Sequence, residues 1–130
     1  PWNMAQIYNA PEFLDEMRYW HKLHEQLRPY LWETAKRCVA ESKPILRPLV
    51  YEWPKDSNVL YCQDEYLLGN DLLVAPLLEE NAHSRGVYLP QGTWTDFFSG
   101  KIYAGNQTIV IDAGDKLPVF SRNGFQMKNE

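Results

Sequence analysis

Residues 69 to 78 read GNDLLVAPLL, and this stretch decides the fold class. Gly69 and Asn70 are turn residues, and the run from Leu72 to Leu78 behind them is almost continuously apolar. An apolar run of this length after a turn predicts a strand that is buried on both faces. This strand lies in the half of the chain where a strand pattern replaces a helical one.

Further extended segments surround this strand. Residues 45–51 precede it, with Pro48 forcing Arg47 out of the helical region. Five segments follow it, at residues 86–90, 93–98, 101–103, 108–111 and 117–120, separated by turns that contain Gly92, Gly100, Gly105, Gly114 and Gly124. Strands at this spacing predict an antiparallel sandwich or barrel.

Upstream of Pro44 the pattern is helical. The segment from Pro11 to Ser42 has no glycine, and its apolar residues recur at steps of three and four. They are Phe13, Met17, Trp20, Leu27, Leu31, Ala35 and Cys38, and His24 falls on the same stripe. The spacing predicts a helix with one buried stripe that starts near Pro11, while Pro29 predicts a kink or a second helix start. The fold class is therefore α+β, with a helical segment at residues 1–42 and an antiparallel β-sandwich at residues 43–130.

Charge and hydropathy narrow the range of partners. The 130 residues carry 13 Lys and Arg against 17 Asp and Glu, for a formal net charge of −4 and no basic block. We therefore expect no nucleic acid partner. The chain has no apolar stretch long enough to span a membrane and no leader resembling a signal peptide, so we expect no membrane partner either. Localisation stays open.

The side chains that could bind a metal give a weak signal. Cys38 and Cys62 lack the spacing of a metal site, and we expect both to be free thiols. His21 and His24 lie three residues apart, His83 lies in a predicted loop, and packing or surface roles are favoured for all three. The sequence predicts no metal site and no cofactor.

Four carboxylates lie between the first two strands and could in principle form a catalytic pair. They are Asp56, Asp64, Glu65 and Asp71. Asp56 follows Pro54 and Lys55 as a turn or helix-cap residue would, and Asp71 adjoins a turn. A structural role is favoured for each, so no catalytic or substrate-binding residue is predicted. Asn106 begins a glycosylation acceptor pattern, and its glycosylation stays open.

Five ordered motifs go beyond these patterns. They read LRPYL at residues 27–31, KPILRPL at 43–49, DEYLLGNDLLVAP at 64–76, RGVYLPQGTWTD at 85–96 and LPVFSRNG at 117–124. This set resembles family 31 of the glycoside hydrolases, the α-glucosidase and α-xylosidase family. Glu65 stands where the family often has glutamine, and Trp32 stands where it usually has tyrosine.

The resemblance implies an enzyme larger than this chain. Members of the family combine an N-terminal β domain, a (β/α)8 barrel and C-terminal β domains, and their catalytic aspartates lie in barrel segments that this sequence does not contain. By resemblance, residues 1–42 are the end of the barrel and residues 43–130 the proximal C-terminal β domain. The implied activity is retaining hydrolysis of terminal α-linked glucose or xylose from oligosaccharides. This portion would pack on the rest of its catalytic barrel and be inactive alone.

Two other functions stay open. Aromatic residues form 14% of the chain, and the strand half carries Tyr88, Trp94, Phe97, Phe98 and Tyr103, which could stack on sugars in a stand-alone carbohydrate-binding module. Alternatively, the module could self-associate through the apolar face of its helix. The preferred α-glycoside of the whole enzyme cannot be predicted, because the pocket residues lie elsewhere.

Overall fold

The computed structural model describes residues 4–114 and 116–126. Two helices come first, α1 at Met4–Ile7 and α2 at Phe13–Glu41. The described residues group into two compact units, one reaching as far as Glu33 and the other formed by Thr34–Gln126. No helix among the described residues is long and apolar enough to cross a membrane.

Helix α2 is a single helix of 29 residues. It continues through Pro29, so the second helix start that the proline allowed does not occur. It begins at Phe13 rather than at Pro11, with Asp15 and Glu16 in its first turn, where carboxylates stabilise the positive end of the helix dipole.

The buried stripe predicted for α2 is wrong for most of its length. Phe13 and Met17 are 44% and 43% exposed. Trp20, Leu27, Leu31 and Ala35 are half-buried, and His24 is exposed. The buried residues of α2 are Thr34 and Cys38, because only its C-terminal turns belong to the unit that contains the strands. A helical period indicates which residues share a face of the helix. It does not indicate whether other residues of this chain pack against that face.

The strands form two sheets in which every pair is antiparallel. Eight strands occur among the described residues: β1 Leu46–Pro48, β2 Tyr66–Leu68, β3 Leu72–Val74, β4 Ser84–Leu89, β5 Thr93–Asp96, β6 Ile102–Ala104, β7 Gln107–Asp112 and β8 Val119–Arg122. Six of them form one sheet in the order β1-β2-β3-β8-β5-β6, and β4 pairs with β7 in the second. The α+β class, with a helix before antiparallel sheets, is confirmed.

Two elements differ from the sequence prediction. Residues 49–52 form a short helix, α3 at Leu49–Glu52, where an extended segment was expected. Pro48 restricts Arg47 before it but leaves the following residues free to turn. Strand β2 was not predicted, because three residues are too few to show a period and its pairing with β1 is non-local, although it forms a local hairpin with β3. A 3-10 helix, Ser57–Tyr61, also lies in this region.

Both sheets contribute to one core. Leu67, Leu73, Trp94 and Phe120 come from the six-stranded sheet, while Val87, Leu89 and Ile111 come from the two-stranded one. Leu73 and its neighbours in β3 are all buried, as the apolar run predicted. The predicted extent was wrong, because the strand ends at Val74 and Leu78, the last residue of the run, is 72% exposed. Trp94 is fully buried, and its indole Nε1 donates to the carbonyl of Pro90 at 2.7 Å. A buried indole N–H needs such an acceptor, so this bond fixes the turn after β4 against the core.

Candidate functional site

A buried carboxylate lies just before β2. The side chain of Glu65 is 3% exposed. Its Oε1 accepts hydrogen bonds from the backbone N–H of Tyr88 at 2.9 Å and from Nη2 of Arg85 at 3.4 Å. Its Oε2 is buried and has no hydrogen-bond partner of ordinary geometry among the described residues. A half-satisfied buried carboxylate is costly to keep ionised.

Arg85 of β4 is the centre of the surrounding network. Its Nη2 lies 2.7 Å from Oδ2 of Asp64, and its Nη1 donates to the carbonyls of Asp64 and Pro76 at 3.1 and 2.5 Å. Its Nε donates to the carbonyl of Gly86 at 3.0 Å. The guanidinium therefore joins β4 to the segment before β2 and to the segment after β3. Its role in these contacts is to hold strands together.

Burial changes the acidity of two groups in this network. It raises the pKa of the Glu65 carboxyl to about 7, against the opposing effects of the Tyr88 N–H and the Arg85 charge. It also raises the pKa of the Cys62 thiol to about 12, and the negative charges of Glu65 and Asp64 act in the same direction. A thiol with this pKa is protonated at neutral pH, so Cys62 is a poor nucleophile. Both cysteines are free, as predicted.

The structure brings together three metal-donor side chains that the sequence analysis did not group. The donor atoms of Cys62, Asp64 and Glu65 lie within 4.8 Å of one another. A metal would need the thiolate form of Cys62, and the Arg85 guanidinium already pairs with both carboxylates. The arrangement is therefore chemically an ion-pair network rather than a metal centre. Sequence proximity was the available signal, and it does not show that the side chains converge.

Asp56 has the helix-cap role that the sequence predicted. It precedes the 3-10 helix, and its Oδ1 accepts from the backbone N–H of Asn58 at 3.0 Å. Its Oδ2 accepts from the hydroxyl of Tyr88 at 2.6 Å. The Tyr88 hydrogen bond holds the pKa of the Asp56 carboxyl below its ordinary value. Tyr88 therefore contacts Asp56 through its hydroxyl and Glu65 through its backbone.

Arg47 carries a second buried charge, and the sequence did not predict a role for it. Arg47 of β1 is 1% exposed, and its Nη1 donates to Oε1 of Glu52 at 2.6 Å and to Oδ1 of Asn70 at 2.7 Å. Its Nε donates to the carbonyl of Pro44 at 2.7 Å, and its Nη2 lies 3.6 Å from the sulfur of Cys38. One side chain thus connects the last turns of α2, α3 and the turn between β2 and β3. The sequence signal was an arginine inside an apolar strand.

The sequence also singled out the three histidines, Asp71 and Asn106. His21, His24 and His83 are exposed, and no histidine belongs to a set of three metal-donor side chains among residues 4–114 and 116–126. The carbonyl of Asp71 accepts from the backbone N–H of Arg122 at 2.8 Å. Asn106 is exposed in the turn between β6 and β7, with a φ of 59°.

Comparison with known proteins identifies the strand half of the chain. Residues 42–125 match the family description "Glycosyl hydrolase family 31 C-terminal domain". The match covers β1 to β8, and therefore the Arg85 network and all of the Arg47 network except Cys38.

Characterised relatives match almost the whole chain. The isomaltosyltransferase of Sporosarcina globispora is 33% identical over 125 residues, which cover 95% of this chain and 11% of that protein. Alpha-glucosidase 2 of Bacillus thermoamyloliquefaciens is 30% identical, covering 95% of this chain and 15% of that protein. Among solved structures, the cycloalternan-degrading enzyme of Trueperella pyogenes, in complex with a covalent intermediate, superposes with a TM-score of 0.88 at 32% identity. That match covers 97% of this chain and 17% of the enzyme. The chain thus spans less than a fifth of the length of these relatives.

Proposed function

Because the chain belongs to glycosyl hydrolase family 31, we propose that it is the non-catalytic part of a longer α-glycoside hydrolase, here called the parent enzyme. In this proposal the strand half is the proximal C-terminal β domain, and it packs on and supports the catalytic barrel. The 130-residue chain is inactive alone, because the catalytic aspartates belong to the barrel.

The observation that carries the proposal is that the matched relatives are much longer than this chain. The relatives match 95% of this chain, and the chain matches 11% and 15% of them. Hydrolysis of a glycosidic bond usually needs two carboxylates that face one substrate. The carboxylates of the two polar networks instead hold arginine, tyrosine and backbone groups. These contacts support a structural role for the region.

The exposed face of α2 supports its assignment to the end of the barrel. Along this helix Phe13, Met17, Trp32 and Val39 are exposed, with Trp32 at 65% and Val39 at 83%. Apolar side chains on a long helix usually pack against a larger body. The remainder of a (β/α)8 barrel would supply that body.

A second apolar surface supports docking of the strand half. The side chains of Leu46, Tyr51, Leu60 and Tyr61 are exposed on the adjoining elements β1, α3 and the 3-10 helix, and we infer that they form one surface, here called the apolar surface. Leu46, Leu60 and Tyr61 are 59%, 56% and 87% exposed. Burying this surface on the barrel would remove several large side chains from water, which stabilises the assembly.

The parent enzyme would hydrolyse terminal α-linked glucose or xylose from oligosaccharides. The relatives include an enzyme named alpha-glucosidase 2 and another named alpha-xylosidase XylQ. A covalent intermediate in the Trueperella pyogenes enzyme supports a retaining mechanism, in which one carboxylate attacks the sugar and a second acts as acid and then base. Both carboxylates would come from the barrel.

Polar substitution of the apolar surface tests the docking proposal. We expect Leu60→Ser with Tyr61→Ser to change the free energy of unfolding of the 130-residue chain by less than about 0.5 kcal/mol per site, because both side chains are already exposed. In the parent enzyme the same change should lower it by about 2 kcal/mol, because polar groups would then be buried at the interface. Denaturant unfolding of both proteins measures this difference. Equal effects in the two proteins would contradict docking through this surface.

A further inference from the structure

A small groove lined by a tryptophan and several polar residues opens beside α3. Its volume is about 420 Å³, and it is lined by Glu52, Trp53, Pro54, Lys55, Asp56, Gln91 and Asn106. Three separate segments form it: the end of α3 with the residues after it, the turn after β4, and the turn between β6 and β7. This volume is within the range of small-molecule sites.

The indole of Trp53 is the apolar part of the groove, and it is held in place. The guanidinium of Arg122 lies 4.8 Å from the centre of its ring, and the Trp94 ring is 6.1 Å away at an angle of 57°. Trp53 is half-buried and lines the groove. A fixed aromatic ring loses little conformational entropy when the C–H face of a sugar packs on it.

The polar lining supplies both donors and acceptors. Gln91 and Asn106 contribute side-chain amides that can donate and accept, and Lys55 contributes an ammonium. Glu52 and Asp56 contribute carboxylates whose positions are fixed by Arg47 and by the Tyr88 hydroxyl. A ligand with several hydroxyl groups can use both kinds of partner. Lys55 and the guanidiniums of Arg47 and Arg122, which contact Glu52 and the Trp53 ring, offset the two carboxylates, so the charges around the groove nearly cancel and suit a neutral ligand.

The backbones of Gln91 and Asn106 are positioned by a very close approach of their two turns. The backbone N–H of Gly105 donates to the carbonyl of Gly92 at 2.8 Å. A Cβ on Gly105 would lie 2.1 Å from the carbonyl oxygen of Pro90, so only glycine allows the contact. Because Gln91 and Asn106 are the neighbours of these glycines, the contact fixes the spacing of their backbones before any ligand binds.

We propose that this groove, formed by the strand half of the chain, is a binding site for a neutral α-linked oligosaccharide. The proposal rests on the proposed function for its ligand class, since the parent enzyme would act on such sugars. Trp53 packs on a pyranose ring, while Gln91, Asn106 and Lys55 donate to ring and hydroxyl oxygens. Glu52 and Asp56 accept from hydroxyl groups.

An NMR titration of the isotopically labelled 130-residue chain with isomaltotriose tests the site. We expect saturable shifts confined to the Trp53 indole N–H, the side-chain amides of Gln91 and Asn106, and their backbone neighbours. The double variant Gln91→Ala with Asn106→Gly should bind about tenfold more weakly, since it removes two hydrogen bonds. Glycine is used at 106 because the φ of 59° is strained for alanine.

Three controls make the result decisive. Gln63→Ala removes an exposed amide outside the groove and should leave the affinity unchanged. Glycerol, a polyol without a pyranose ring, should produce no saturable shifts. The parent enzyme with the double variant should still cleave a small chromogenic glycoside at its normal rate, which separates the groove from the proposed function. Shifts that do not saturate, that lie elsewhere, or that survive the double variant would overturn the proposal.

Discussion

Replacing Arg47 by alanine is expected to lower the free energy of unfolding of the chain by about 3 kcal/mol. Arg47 is 1% exposed and contacts Glu52, Asn70 and the carbonyl of Pro44. Its removal leaves these acceptors without their donor and opens a space in the interior. We place the effect at the lower end of the range for broken buried pairs because the Glu52 side chain is 24% exposed and water can reach it.

Urea unfolding measures this loss, and Arg37→Ala is the matched control. Arg37 is exposed on the same chain, so its replacement should change the free energy of unfolding by less than about 0.5 kcal/mol. If Arg47→Ala cost no more than Arg37→Ala, the buried guanidinium would not be a structural tie between α2, β1 and α3.

The second large effect is expected from Glu65→Gln at pH 8, which should raise the free energy of unfolding by up to about 3 kcal/mol. Burial raises the pKa of Glu65 from 4.5 to about 7, so at pH 8 the folded protein carries a carboxylate that its surroundings disfavour. Glutamine has no charge to desolvate and can still accept from the Tyr88 N–H. Loss of the Arg85 contact at 3.4 Å offsets part of the gain, while Asp64 keeps its own contact with Arg85.

The same substitution should change the pH dependence of stability. Between about pH 4.5 and pH 7 the unfolded chain has lost the Glu65 proton while the folded chain retains it, so the native protein becomes less stable as the pH rises through this range. Above about pH 7 the folded and the unfolded chain have both lost the Glu65 proton, so the effect of Glu65 on the free energy of unfolding no longer changes with pH. Glu65→Gln should remove this effect, whereas Asp64→Asn, at an exposed neighbouring carboxylate, should keep most of it, because burial is the largest cause of the raised Glu65 pKa and the Asp64 charge is a smaller one. Thermal unfolding across this range measures the slopes, and an unchanged slope in Glu65→Gln would contradict the burial of this charge.

Local patterns predicted the elements whose causes are local. The apolar run at Leu72 predicted a strand buried on both faces, and Asp56 was recognised as a cap from the residues before it. The short strand β2 and the turn of helix at Leu49–Glu52 were missed, because each is too short to show a period and β2 also depends on its non-local partner β1. For α2 the helical period was right and the predicted burial was wrong, because most of the predicted stripe is exposed or half-buried among the described residues.

The polar networks could not be predicted because they join distant segments. Glu65 and Tyr88 are 23 residues apart, and so are Arg47 and Asn70. These same residues lie in the motifs that carry the family resemblance. The structure gives the reason for their presence in those motifs, because they satisfy buried hydrogen bonds between strands. These contacts support the proposal that the motifs identify the domain through its architecture.

Turnover of a chromogenic α-glucoside or α-xyloside by the 130-residue chain, measured beside the parent enzyme, tests the central claim most directly. We expect hydrolysis by the parent enzyme and none by the chain, since the two catalytic carboxylates would lie in the barrel. Turnover by the chain that scales with its concentration and survives repurification would contradict the claim and require a catalytic pair within these residues.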